Sequence, residues 1–179
     1  MKRNVMCLLV LTGIGLAANA QTDKGSWMVG GNVALNTAKN DTKITFSPSA
    51  GYFFMKNLAA GVNLTLDYSK ISDLKTTAWG VGPFGRYYVG TMNVRPFAHA
   101  DVSFQSNKSE NNSGSDTYKS TQYFLGAGLA AFINRNVAIE GLAGYKHTAI
   151  QDLNGTGGFN FRIGFQVYLG REQMERLRK

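Results

Sequence analysis

The segment from Phe159 to Leu169 reads FNFRIGFQVYL, and its residues alternate in polarity along their whole length. Every second position carries a large apolar side chain: Phe159, Phe161, Ile163, Phe165, Val167 and Leu169. The positions between them are polar or small, apart from one tyrosine: Asn160, Arg162, Gly164, Gln166 and Tyr168. Successive side chains of a β-strand point to opposite faces, so this pattern predicts a strand with one apolar and one polar face.

The same alternation recurs through the rest of the chain. It is clear in Trp27–Leu35 and in Leu58–Tyr68, and weaker in five further segments: Thr42–Phe53, Ala78–Val89, Val94–Gln105, Gln122–Phe132 and Val137–His147. Segments of about ten alternating residues are typical of membrane-spanning β-strands. The predicted fold class is therefore all-β, an eight-stranded antiparallel up-and-down transmembrane β-barrel.

The connections between these segments alternate between short and long, as in barrels with tight periplasmic turns and longer outside loops. The short ones are residues 55–57, 90–92 and 134–135, and the long ones are residues 36–41, 69–76, 106–120 and 148–156. Residues 106–120 read SNKSENNSGSDTYKS, which offers almost nothing to bury. We therefore expect an exposed, mobile loop there, available to a surface ligand.

Aromatic residues on the apolar parity fall at the two ends of the predicted strands. Trp27, Tyr52 and Tyr87 lie near the N-terminus or the short turns. The others lie near the long connections: Tyr68, Trp79, Phe104, Tyr123, Tyr145 and Phe159. Trp and Tyr favour the interfaces between lipid and water, so two such sets indicate a membrane barrel rather than a soluble one.

The first twenty residues have the pattern of a cleavable export signal. Lys2 and Arg3 are followed by a short apolar stretch and by the sequence Ala18-Asn19-Ala20. A membrane anchor is the alternative, but the stretch is shorter than the roughly 20 residues that cross a bilayer. The predicted organisation is a signal peptide at 1–20, a barrel at 21–170 and a charged tail at 171–179.

Composition removes several classes of function. The lone cysteine, Cys7, lies within the predicted signal, so the mature chain is expected to hold no disulfide and no thiolate metal site. No later stretch has 18 consecutive apolar residues, which excludes a helical membrane protein. The net charge of +8 is dispersed along the chain, which favours contact with anionic lipid and argues against nucleic acid as a partner.

Several ionisable residues fall on the predicted inner face of the barrel. The candidate interior cluster comprises Asp67, Arg86, His99, Asp101, Glu140 and Arg162, and Lys43, Arg95 and Lys146 share its parity. The interior of an eight-stranded barrel is just wide enough for side chains to fill it, so these groups are expected to neutralise one another. Glu140 and Arg162 lie on consecutive strands and are predicted to pair, with Arg86 as a further partner for a carboxylate.

Catalysis is a weaker hypothesis. His99, Asp101 and Ser103 form an H-x-D-x-S pattern on one strand face, but alternating residues lie roughly 6 to 7 Å apart, so the spacing alone does not make a triad. His99 is interpreted as interior filler and His147 as a solvated residue. No phosphate-binding loop or metal-ligand cluster is visible, so no cofactor is expected.

The chain resembles the outer-membrane protein β-barrel domain family, and within it the OmpA/OmpX-like eight-stranded barrels. The resemblance rests on SAGYFFMKNLAAGVNL, GPFGRYYVGTMNVRPFAHADVSF and the closing GFNFRIGFQVYLG, and it covers the mature chain to Gly170. It implies insertion by the outer-membrane assembly machinery of a Gram-negative-type cell. Members commonly end on an aromatic residue, whereas this chain continues with REQMERLRK, which is interpreted as a solvated extension in preference to a docking element.

These observations predict location better than activity. The expected function is structural or surface-interacting, in adhesion or envelope integrity, with no open pore and no enzymatic activity. Two alternatives stay open. One is a narrow channel, and the other is an enzyme that modifies lipid A, because some eight-stranded outer-membrane barrels carry out such reactions.

Overall fold

The computed structural model describes residues 22–38, 41–71, 74–111, 114–150, 153–171 and 174. The predicted export signal, residues 1–20, lies outside them. Eight strands follow in chain order: β1 Trp27–Ala38, β2 Asp41–Met55, β3 Leu58–Ile71, β4 Leu74–Tyr88, β5 Val94–Asn111, β6 Gly114–Phe132, β7 Val137–Ile150 and β8 Leu153–Leu169. Each strand pairs antiparallel with its neighbours and β8 pairs with β1, so the sheet closes. The predicted fold class is confirmed.

The two faces of the barrel are the reverse of those of a soluble protein. On β3, the side chains of Val62, Leu64 and Leu66 point outward and are about half exposed, whereas Asn63 and Asp67 point inward and are buried. The other strands repeat this arrangement, with apolar side chains outside. A continuous apolar outer surface of this extent marks a surface that meets lipid.

The short turns lie where the sequence predicts them. β2 and β3 are joined by Lys56 and Asn57, and Asn57 has a φ of 64°, in the left-handed region that asparagine tolerates better than most residues. The other two short connections are residues 89–93 and 133–136. We call this end of the barrel the turn end and the opposite end the hairpin end.

The prediction of long loops was wrong, because the strands continue through most of these residues. β5 and β6 stay paired from Val94–Ala131 up to Asn111–Gly114, so nearly all of residues 106–120 lie in an extended hairpin. The same holds for residues 36–41, 69–76 and 148–156, most of which are strand. A ladder is built from backbone groups, so a polar segment without a buried face still extends it, and Asn107 Nδ2 also donates to Ser120 Oγ at 2.8 Å.

Two prolines interrupt their ladders without shifting them. Pairing between β2 and β3 is absent at Pro48 and resumes in register at Ser49–Asn63, and pairing between β4 and β5 resumes at Phe84–Asp101 beyond Pro83. Proline has no N–H to donate, so a ladder hydrogen bond is missing at each position.

Beyond β8, the N–H of Met174 donates to the carbonyl of Gly170 at 3.1 Å. Within the described part of the chain, no helix is long and apolar enough to cross a bilayer.

Candidate functional site

The interior carries a chain of buried ionisable groups from β4, β5, β7 and β8. Arg86, His99, Asp101, Glu140 and Arg162 all lie on inward positions and are less than 10% exposed. Five of the six predicted cluster residues are therefore brought together. We call this set the interior chain.

The first ion pair of the interior chain joins opposite parts of the wall. Arg86 Nη1 on β4 donates to Glu140 Oε2 on β7 at 2.6 Å, with both side chains almost fully buried. The hydroxyls of Tyr88 and Tyr168 donate to Glu140 Oε1 at 3.2 and 2.8 Å. Glu140 is thus held by a guanidinium and two phenols, and its buried charge is compensated.

The predicted pairing of Glu140 with Arg162 was wrong. Glu140 lies opposite Gly164 on β8, and Arg162 lies opposite Leu142, so the two charges are staggered by one inward position. Arg162 Nη1 instead donates to Asp101 Oδ2 at 2.9 Å, and its Nε donates to Asn160 Oδ1 at 3.0 Å. Sequence spacing gave adjacent strands correctly but could not give the register.

His99 joins the two ion pairs. Its Nδ1 accepts from Arg86 Nε at 3.2 Å, so Nδ1 is the unprotonated nitrogen and Nε2–H donates to Asp101 Oδ2 at 3.0 Å. The imidazole also stacks on Phe84, with ring centroids 5.5 Å apart. The interior chain is therefore continuous from Glu140 to Arg162, with two positive and two negative charges.

Aromatic rings fill the interior towards the turn end. Five inward-facing rings lie within 6.2 Å of one another in successive pairs: Phe53, Tyr88, Phe97, Phe132 and Tyr168. The predicted inner face of glycine, serine, asparagine and charge was thus incomplete. Four of the rings belong to the weaker strands, whereas Tyr168 lies on the inner face of the clearest one. We call this layer the aromatic floor.

Both arginines of the interior chain lie against rings. The guanidinium carbon of Arg162 lies 3.8 Å from the centroid of Phe124, and that of Arg86 lies 4.6 Å from the centroid of Phe97. Contacts of this kind stabilise a desolvated cation.

Arg95 closes the floor at the turn end. It lies 5.1 Å from the centroid of Phe132 and donates to Thr22 Oγ1 at 2.7 Å. Thr22 in turn donates to Asn57 Oδ1 at 2.7 Å, so the segment before β1 is tied across the opening. Sequence reasoning placed Arg95 inward but missed Thr22, which precedes the first strand and carries no periodic signal.

Asp67 stands apart from the interior chain, near the hairpin end. It accepts from Thr45 Oγ1 and pairs with Lys43 at 3.5 Å. Lys146, also predicted to point inward, is half-buried.

Tyr88 and Tyr168 are the functional residues that the sequence reasoning missed, although Tyr88 shares the parity of Arg86 and Tyr168 that of Arg162.

The predicted interface aromatics all point outward. The exposed rings are Trp27, Tyr52, Tyr68, Trp79, Tyr87, Phe104, Tyr123, Tyr145 and Phe159. Trp27 and Tyr52 face each other across β1 and β2 with centroids 5.3 Å apart at the turn end, and Tyr145 and Phe159 do so at 6.1 Å towards the hairpin end. Their position at a lipid interface remains a prediction.

His99 and Ser103 of the H-x-D-x-S pattern do not form a pair of base and nucleophile. Ser103 Oγ donates to Thr65 Oγ1 at 3.4 Å, while both ring nitrogens of His99 are engaged by Arg86 and Asp101. His147 is half-buried, near the hairpin end of β7. Among the residues that the structure describes, no group of histidine, cysteine and carboxylate side chains is placed to hold a metal ion.

A closed antiparallel barrel with an apolar outer face and a charged, hydrogen-bonded interior defines the class of outer-membrane barrels. The model of the outer membrane protein beta-barrel domain matches residues 6–169, and the chain belongs to this family. It is therefore an outer-membrane protein.

Solved structures of the same fold come from several Gram-negative bacteria. The N-terminal barrel of Pseudomonas aeruginosa OprF is 15% identical, with a TM-score of 0.60 over 82% of this chain and 98% of that one. Neisserial surface protein A is 16% identical, with a TM-score of 0.64 over 79% and 95%. Ail, the attachment invasion locus protein of Yersinia pestis, is 14% identical, with a TM-score of 0.53 over 82% and 99%. No curated protein matches the sequence significantly.

Proposed function

We propose that this protein is a non-conducting outer-membrane barrel that acts through its hairpin end, in adhesion or in envelope integrity. The observation that carries the proposal is that the aromatic floor, Arg95 and the interior chain are buried inside the barrel and contact one another across it. A barrel filled in this way offers its surface to partners and does not need a path through its centre.

The hairpin of β5 and β6 is the candidate contact surface. These strands have 18 and 19 residues, the longest of the barrel, and the hairpin carries charged and polar side chains with an exposed Tyr118. Paired strands hold such a surface in one orientation, which lowers the entropy lost on binding. The names of Ail and Neisserial surface protein A describe attachment and surface exposure for those proteins, and their likeness to this chain extends to the fold.

Trimming the hairpin tests the proposal. Residues 109–116 are replaced by Asn-Gly, a two-residue turn suited to a hairpin, so that Lys108 and Thr117 still pair and the Asn107–Ser120 hydrogen bond is kept. The matched control replaces residues 70–75 of the β3–β4 hairpin in the same way. We expect cells with the β5–β6 variant to lose adhesion to collagen- and mucin-coated wells, and control cells to adhere as the parent does.

Deletion of the whole gene separates the two forms of the proposal. Lower survival in sodium dodecyl sulfate supports a role in envelope integrity, and unchanged survival together with unchanged adhesion contradicts both forms. Ion steps in planar bilayers would contradict the non-conducting barrel.

The proposal includes export and assembly. It expects cleavage after Ala20, so that the outer-membrane form begins at Gln21, and insertion by the outer-membrane assembly machinery despite the internal position of the last strand. N-terminal sequencing of the heat-modifiable form tests the cleavage. Deletion of residues 171–179 should leave insertion unchanged if the tail is a solvated extension.

A further inference from the structure

The seam between β1 and β8 is paired over only part of its length. Within the described residues, pairing across the seam runs from Trp27–Leu169 to Val33–Ile163 and ends there. β1 nevertheless continues to Ala38 in pairs with β2, and β8 begins at Leu153 in pairs with β7. We call the unpaired stretch, residues 34–38 facing residues 153–162, the seam gap.

If the outward aromatic residues mark the lipid interface, as predicted, part of the seam gap lies at membrane depth. Phe159, packed on Tyr145, belongs to the outward aromatic set towards the hairpin end, and Phe161 lies one outward position further from that end. The edge of β8 at Phe161 and Arg162 therefore lies on the lipid side of that set. Open strand edges are not tolerated in hydrocarbon, because each unsatisfied backbone group costs several kcal/mol.

An apolar groove runs along the lipid-facing side of the seam and ends at the gap. It has a volume of about 790 Å³, and its side-chain walls are Val33, Phe46, Ile139, Phe161, Ile163 and Phe165. Gly30 and Gly31 of β1 and Gly164 of β8 complete the lining of the groove. Its shape and lining suit an extended hydrocarbon chain.

The inner side of the gap is basic. Lys43 lies opposite Asn36 of β1, and Lys146 lies opposite Gly158 of β8, so one lysine stands on each side of the gap. Both are half-buried. Lys43 pairs with Asp67 at 3.5 Å. Lys146 is within electrostatic range of that pair and of Arg162 and Asp101, and the five groups together carry three positive and two negative charges.

We propose that the seam binds a membrane lipid with an anionic phosphate headgroup. The acyl chain lies in the groove and the phosphate lies at the gap, near Lys43 and Lys146, where its oxygens accept hydrogen bonds from the open strand edge. The apolar groove alone would suit any acyl chain, and the lysines alone would suit any small anion. Because the groove and the two lysines lie at the same gap, the site selects a molecule that carries both an acyl chain and an anionic phosphate.

The test measures lipid retained by the full-length barrel in mild detergent, by native mass spectrometry. Three probes are compared: dioleoyl phosphatidylglycerol, dioleoylglycerol and inorganic phosphate. We expect phosphatidylglycerol to be retained about tenfold better than dioleoylglycerol, a difference of roughly 1.4 kcal/mol, and excess phosphate to leave it bound.

Two substitutions locate the site. Val33→Trp fills the groove from an outward position and should abolish retention, whereas Val62→Trp, the same change at an outward position on β3, should leave it unchanged. Lys146→Gln should weaken retention of phosphatidylglycerol and leave that of dioleoylglycerol unaltered. Lys119→Gln, in the β5–β6 hairpin, serves as its control.

Three results would overturn the proposal: equal retention by the Val33→Trp and Val62→Trp variants, equal retention of the charged and neutral lipids, or release of the lipid by phosphate. Dimers that form in the absence of lipid and are lost on Val33→Trp would assign the seam to a second copy of the chain. If Val33→Trp does not show heat-modifiable migration, Phe161→Ala takes its place, since it removes one wall of the groove and should also lower retention.

Discussion

The two sides of the barrel interior differ in how their buried polar groups are paired. On β4, β5, β7 and β8 the interior chain joins four charges through His99, and each charged group has a partner within 3.2 Å. On β1–β3, and at Gln166 of β8 beside β1, the inward side chains are mostly uncharged. Among the described residues, buried polar atoms of Asn32, Ser49, Asn63 and Gln166 have no hydrogen-bond partner, and Gln105 Nε2 on β5 is the one such atom on the other side. We call these sides the charged wall and the neutral wall.

The difference shows which side determines the packing of the interior. A buried charge must be paired in one geometry, so the charged wall fixes how its four strands face one another. A buried neutral amide or hydroxyl without a partner costs less free energy than an unpaired buried charge. The side chains of the neutral wall can therefore adjust to the strand positions that the charged wall fixes. Substitutions on the charged wall should therefore lower the free energy of unfolding much more than substitutions on the neutral wall.

Glu140→Gln should have the largest effect, because it leaves Arg86 buried without its counter-charge. We expect a loss of about 3–5 kcal/mol in the free energy of unfolding. The measurement is urea unfolding in lipid vesicles, followed by the fluorescence of Trp27 and Trp79, which both point outward. The control is the double variant Arg86→Met with Glu140→Leu, which removes both charges and should recover most of the loss. Equal losses in the single and double variants would show that the pair is not what stabilises this wall.

Arg162→Met should have an intermediate effect of roughly 2 kcal/mol. It removes the guanidinium from Asp101, but Asp101 keeps its hydrogen bond from His99 Nε2, so the carboxylate is not left without a partner. Vesicle unfolding of the single variant and of Arg162→Met combined with His99→Ala provides the comparison. If the interior chain is continuous, the combined loss exceeds the sum of the two single losses, and strict additivity would argue against it.

Tyr168→Phe should have a smaller effect, of about 1 kcal/mol. It removes one of two phenol donors to Glu140, while the Arg86 ion pair and the ring contacts of the aromatic floor are kept. Tyr145→Phe, on an outward ring of β7, is the matched control and should leave the unfolding midpoint unchanged. A similar shift in both variants would place the effect outside the interior.

The sequence predicts the barrel because apolar and polar side chains alternate along every strand. This alternation is a local property, so it can be read from the sequence without knowing the fold. It also predicts that Arg86, His99 and Glu140 face inward. It does not predict that Glu140 bonds Arg86 across the interior, because that contact depends on register and barrel diameter, which are set by all eight strands together. The extent of the β5–β6 hairpin was missed for the opposite reason, since a polar ladder outside the lipid has no hydrophobic signal.

The neutral wall and its border provide the smallest and most discriminating expected effect. Gln166, on β8 beside β1, is fully buried, and neither atom of its amide has a hydrogen-bond partner among the described residues. Gln166→Met keeps the length of the side chain and removes the unsatisfied amide, so the free energy of unfolding should change by less than about 0.5 kcal/mol or rise.

Gln122→Met is the matched control for Gln166→Met, because Gln122 is also a buried inward glutamine. Its Nε2 donates to Gln105 Oε1 at 2.7 Å, so removing it leaves a buried acceptor unpaired. We expect a loss of about 1–2 kcal/mol for this variant in the same vesicle unfolding experiment. If Gln166→Met loses as much as Gln122→Met, the amide of Gln166 is satisfied in the membrane. The neutral wall would then contribute to the packing of the interior as strongly as a hydrogen-bonded one.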